Sequence, residues 1–151
     1  MTHAQLIDIG IDFVKKRFRY PIVYSEIMPA VYTGEIPDII GFGGFNKSVL
    51  LECKVSMSDF LRDRKKPFRV DPSLGMGKYR FYVAPKGLIR EKDLPNHWGL
   101  IVVDSNGYAE ITVHPYCKST TGNIWSNGFQ QNLEAKRAIL YSILKREKCD
   151  I

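Results

Sequence analysis

The stretch that decides the fold is Ile36-Pro37-Asp38-Ile39-Ile40-Gly41-Phe42-Gly43-Gly44-Phe45-Asn46-Lys47-Ser48-Val49-Leu50-Leu51-Glu52-Cys53-Lys54. Two apolar runs, 35–42 and 48–55, flank a glycine-rich segment with strong turn composition, and the pattern predicts a β-hairpin. Asp38 falls on the first strand. Glu52 and Lys54 fall on the second, two residues apart, so they share a face while Cys53 points the other way into apolar packing. Ionised groups set inside apolar strands are costly unless they serve a purpose.

Working outward, residues 4–19 read as a helix. Ile7, Ile11, Val14 and Phe18 recur at spacings of three and four, and Leu6 and Phe13 widen the stripe. Lys15, Lys16, Arg17 and Arg19 suit its C-terminal end, and Pro21 stops it. Residues 22–28 read as a strand. Beyond the hairpin, Ser56 is placed to cap a helix that runs to about Lys66, ahead of Pro67. Residues 70–78, with Pro72, Gly75 and Gly77, read as a mobile loop. Strands follow at Tyr79–Ala84, Trp98–Asp104 and 108–114, the last two joined by a Ser105-Asn106-Gly107 turn. Residues 118–127 form a polar connection, and 128–147 a final helix with Phe129, Leu133, Ile139, Leu140, Ile143 and Leu144 on its apolar face. The order predicts an α/β (α+β) chain, one domain over 1–151, with a central mixed sheet flanked by helices and a hairpin and helix added at the C-terminal end.

The chain has 151 residues, 44% of them hydrophobic, enough for one domain with a real core. A net charge of +6 and a pI near 9.2 are compatible with a nucleic-acid partner. No run approaches the ~18–20 apolar residues that span a bilayer, so no membrane role is expected. The amino terminus has no signal-peptide pattern. Three cysteines, Cys53, Cys117 and Cys149, without a Cys-x-x-Cys pair fit a reduced, intracellular (cytoplasmic) compartment. His114 and Cys117 have no second ligand pair at zinc spacing.

Two carboxylates and an amine converging at a strand end suit a hard divalent cation, Mg²⁺ or Mn²⁺, beside a polarised water. Asp38 and Glu52 would each donate one oxygen, and the backbone carbonyl of Cys53 another. Lys54 would orient or deprotonate the water, or neutralise charge on a phosphoryl group. Asp59 and Asp63, four apart on the second helix, read with Arg62 and Lys66 as a face laced by ion pairs. Arg62, Arg64, Lys65, Lys66 and Arg69 follow the hairpin directly and read as a phosphate-contacting segment.

Helix, strand, Pro37-Asp38, Glu52-Cys53-Lys54 and a further helix resemble the PD-(D/E)XK nuclease superfamily with its restriction-endonuclease-like αβββαβ core. The longer pattern runs through Ser56-Met57-Ser58-Asp59-Phe60-Leu61-Arg62-Asp63-Arg64-Lys65, Tyr79–Ala84 and Trp98–Asp104. It is similar to the MmcB-type DNA-repair branch, over about residues 22–112. The resemblance implies a Mg²⁺-dependent nuclease acting on DNA, in repair or in mobile-element or phage DNA processing. Asp38 and Glu52 would be its metal ligands and Lys54 its catalytic lysine. Many members carry a further acid from the first helix. Here that helix offers Asp8 and Asp12 but no glutamate, and Glu26 is the candidate for the fourth position. Glu35, three residues before Asp38, is expected on the opposite side of its strand. The other reading is a catalytically silent nucleic-acid-binding module on the same fold. Pairing of two copies to cut both strands stays open.

Overall fold

Thr2 starts the first helix. Its hydroxyl accepts the Gln5 amide at 3.1 Å, and the Gln5 side chain accepts the Thr2 amide at 2.8 Å, a reciprocal cap. The computed structural model describes residues 1–28, 34–118 and 124–149. In it α1 spans His3–Lys16, shorter than the 4–19 expected from periodicity. The Arg17 and Phe18 amides both return to the Phe13 carbonyl, and Arg19 turns the chain with a φ of 59°, so the helix ends before Pro21 acts.

Six strands follow: β1 (Ile22–Ser25), β2 (Ile39–Phe42), β3 (Ser48–Cys53), β4 (Tyr79–Pro85), β5 (Gly99–Val103) and β6 (Ala109–Val113). They form one sheet in sequence order. β1/β2, β2/β3 and β5/β6 pair antiparallel, and β3/β4 and β4/β5 pair parallel. The remaining helices are α2 (Met57–Asp63), α3 (Pro67–Val70) and α4 (Leu133–Cys149). Over the described residues the chain is therefore α+β, a six-stranded mixed sheet with four α-helices.

Both faces of the sheet are covered. On one, Leu6, Ile7 and Val14 of α1 pack over Ile39, Val49, Leu51, Cys53, Phe81 and Val83. On the other, Phe60 of α2 and Ala135, Ile139 and Ile143 of α4 pack over Ile40, Leu50, Tyr82 and Leu100. β3 is buried along its whole length, as a parallel-paired inner strand with two covered faces must be. Its alternation sends Cys53 to the α1 face and Glu52 to the α2/α4 face. α1 sits low on the sheet: a Cβ at Gly10 would lie 2.5 Å from Ile39 Cδ1.

Three expectations are corrected. The strand read at 22–28 stops at Ser25, because Glu26 adopts a φ of 53° and its amide donates to the Asp38 carbonyl at 3.0 Å. Residues 70–78 are not a free loop. They fold around Arg80, whose Nε and Nη2 donate to the Gly77 and Gly75 carbonyls at 2.8 and 3.1 Å. The last helix begins at Leu133, not 128, with the Asn132 side chain accepting the Ala135 amide. Phe129 precedes it and lays its ring 4.1 Å from the Arg80 guanidinium carbon. Of the connection read at 118–127, residues 119–123 lie outside the described residues. No helix among the described residues is long and apolar enough to cross a membrane.

Candidate active site

Antiparallel register brings the two hairpin carboxylates together. Ile39 is opposite Leu51, and one step further along the same register sets Asp38 opposite Glu52, where paired Cβ atoms stand roughly 4.5–5.5 Å apart. Asp38 Oδ2 accepts the Cys53 amide at 2.8 Å, so its carboxylate is fixed against the peptide between Glu52 and Lys54. His3, at the start of α1, brings Nε2 within 3.3 Å of the same oxygen.

Glu52 and Lys54 share a face. Lys54 Nζ lies 3.5 Å from Glu52 Oε2 and 3.5 Å from Asp63 Oδ1, with Asp59 at 3.9 Å. Asp38, Glu52 and Lys54 thus lie near one another, and the Asp38 charge acts on both of the others. Cys53 also keeps to expectation: its thiol lies in the apolar layer under α1. Burial, then the Asp38 and Glu52 charges, push that thiol well above the usual range, so it stays protonated.

The charge balance is uneven. Burial above all, then the neighbouring Asp38 carboxylate, pushes the Glu52 carboxyl up to about 8, against the pull of Arg69 and Lys54. Burial disfavours the Lys54 ammonium, but Glu52, Asp63, Asp38 and Asp59 outweigh it and hold its pKa above the ordinary lysine value. A cationic Lys54 does not serve as a neutral base.

Sequence reasoning missed the floor of the site. The ion pairs expected along α2 do form, Arg62 with Asp59 at 3.3 Å and Lys66 with Asp63, but Asp63 is fully buried. Its Oδ2 accepts Arg69 Nε at 2.9 Å and the Tyr82 hydroxyl at 2.5 Å, and its Oδ1 lies 3.2 Å from Lys66 Nζ. Burial opposes its charge, yet Arg69 and Lys54 with these hydrogen bonds hold it down to about 2. The available signal was spacing: Asp63 is three residues after the buried Phe60 on α2, so it shares that inward face. Tyr82 stands beside Glu52 in the β3/β4 register.

Arg69 corrects the reading of the basic run. Its side chain is 1% exposed, with Nη2 3.3 Å from Glu52 Oε1, Nε on Asp63 and Nη1 hydrogen-bonded to Glu35. A guanidinium closed in by three carboxylates does not present itself to an incoming phosphate. Glu35 is corrected with it: the chain at 34–38 is not yet strand, and Glu35 turns inward to accept both Arg69 and the Met76 amide, the latter at 2.6 Å. Arg62, Arg64, Lys65 and Lys66 remain exposed around the end of α2. Glu26 is exposed beside the Asp38 backbone, near enough for its charge to act on Cys53.

Among the described residues no group of three or more His, Cys, Asp or Glu side chains is arranged to hold a metal ion. Mg²⁺, however, is commonly held by one or two protein carboxylates, with waters and substrate phosphate completing its shell. The paired hard-oxygen donors Asp38 and Glu52 fit that pattern.

No family model matches the chain, and no curated protein does. Among solved structures, the SPO1766 protein of unknown function from Silicibacter pomeroyi is similar in fold, with a TM-score of 0.64 at 18% sequence identity over 98% of this chain and 90% of that one. At that identity the likeness speaks for the fold alone.

Proposed function

We propose that this chain is a Mg²⁺-dependent phosphodiesterase acting on DNA, with a restriction-endonuclease-like core of the PD-(D/E)XK type. The observation that carries the reading is the convergence of Asp38, Glu52 and Lys54 at one end of β2 and β3, tied by the Asp38–Cys53 hydrogen bond. The element order α1-β1-β2-β3-α2-α3-β4, with an antiparallel hairpin feeding a parallel pair, supports it.

Asp38 and Glu52 would hold the cation, with the Cys53 carbonyl beside them. When bound, the cation lowers the pKa of a water and stabilises charge on the phosphoryl group. Asp38 is oriented by the Cys53 amide and His3. Lys54, kept as an ammonium by Glu52 and Asp63, neutralises the charge that builds on the scissile phosphate. Arg62, Arg64, Lys65 and Lys66 meet flanking phosphates. Glu26, close to Asp38 through its backbone, is the candidate fourth acid.

A second reading is a silent DNA-binding module. One observation favours it: both Glu52 oxygens already face cations, Oε2 toward Lys54 and Oε1 toward Arg69. Incubating DNA with the protein and Mg²⁺ or Mn²⁺ tests the first reading, and Mn²⁺ titration separates the two. Metal-dependent cleavage supports the enzyme. Salt-sensitive DNA binding with no Mn²⁺ uptake at millimolar levels supports the module.

A further inference from the structure

At the opposite end of β3 from Glu52, the β2–β3 connection closes on Gly44-Phe45-Asn46-Lys47, where the Lys47 amide donates to the Gly44 carbonyl at 3.2 Å. Phe45 and Asn46 take φ values of 56° and 66°. Two left-handed residues in succession make this a type I′ turn, whose first central position favours Asn, Asp or Gly. A phenylalanine there is both strained and, at 98%, almost wholly exposed. Strain kept alongside an exposed aromatic ring points to a use for the ring.

Its surroundings are cationic. Lys136 Nζ donates to the Asn46 carbonyl at 3.4 Å. Lys78 stands close enough to Lys136 that, after burial, its charge helps lower the Lys136 pKa. Lys47 and Arg19 flank a pocket of about 180 Å³ walled by Phe18, Tyr20, Tyr79 and Trp125. Arg19, Lys47, Lys78 and Lys136 have no carboxylate partner within ion-pair distance among the described residues. Four cations gathered around aromatic rings match a polyanion that also carries flat apolar rings.

We propose that this end of the sheet binds a single-stranded nucleic-acid segment, one base lying on Phe45, a neighbouring base entering the aromatic pocket, and phosphates held by Arg19, Lys47 and Lys78. The site stands on its own charge and aromatic surface and is independent of the carboxylate site.

Binding of a fluorescein-labelled oligodeoxythymidine and of a matched duplex is measured by anisotropy in EDTA, for the unaltered protein and for variants of this end of the sheet. Phe45→Gly, which removes the backbone strain and should fold at least as well, is expected to weaken binding roughly five- to hundredfold. Lys47→Gln with Lys78→Gln should shallow the slope of log affinity against log salt by about 1.4. Unchanged affinity for the single strand in Phe45→Gly together with an unchanged slope in the lysine pair overturns the proposal. Because no metal is present, failed DNA cleavage leaves this outcome untouched, and loss of this binding leaves the cleavage reading standing.

Discussion

The Asp38 carboxylate accepts the Cys53 amide at 2.8 Å, so an acid on the approach to β2 is bonded to the peptide lying between Glu52 and Lys54. This bond continues the hairpin pairing beyond the last ladder pair, Ile39 with Leu51. Removing the acceptor strands the Cys53 amide in a buried strand, at a cost of about 1–3 kcal/mol. Asp38→Ala should lower stability by that amount in urea titration, and Asp38→Asn, which keeps an acceptor oxygen, by less.

Glu52 makes stability fall with rising pH. Its carboxyl holds a proton in the folded chain up to about 8, whereas the unfolded chain releases it near 4.5. Between those values the folded state binds more protons, so the contribution is complete below the lower value and lost as pH rises through the upper one. In metal-free buffer Tm should drop by roughly 8–15 °C between pH 5 and 8.5. Glu52→Gln should flatten that slope, and saturating Mg²⁺ should restore the lost stability in the unaltered protein only.

Asp63 anchors the floor. Asp63→Asn removes one charge from a buried cluster and leaves Arg69 facing two carboxylates instead of three. Breaking such a pair typically costs about 3–5 kcal/mol. Asp59→Asn, at a half-exposed position 3.9 Å from Lys54, should change stability by about 0.5 kcal/mol or less. Equal losses in the two variants, measured by chemical denaturation, contradict the assignment of Asp63 as the buried anchor.

The basic run divides in two. Arg64→Gln and Lys65→Gln should leave unfolding unchanged and each shallow the salt dependence of duplex DNA binding by about 0.9. Arg69→Gln should do the reverse, lowering Tm while leaving the salt slope unchanged, because its guanidinium is buried among Glu35, Glu52 and Asp63.

That division shows where sequence reading reaches its end. α1, the hairpin and the shared face of Glu52 and Lys54 were legible because they rest on local periods of 3.6 and 2 and on a glycine-rich turn. Arg69 was not, because it sits among exposed basic residues and is buried by partners distant in sequence: acids arriving from the chain before β2, from β3 and from α2, and the Trp98 ring 4.7 Å from its guanidinium carbon. Glu35 was misplaced for the same reason: its partner lies 34 residues away. Asp63 was half legible through its spacing from Phe60. The left-handed turn at Glu26, which ends β1 early, carries no composition signal.

The most direct measurement is Mg²⁺-dependent DNA cleavage by the unaltered protein set beside Glu52→Gln and Lys54→Met, with cooperative thermal melting as the control for folding. Cleavage should need the metal and fall by about 10²-fold or more in each folded variant. Cleavage that persists undiminished in both variants, or that proceeds equally in EDTA, contradicts the assignment of Asp38, Glu52 and Lys54 as a metal-dependent nuclease site.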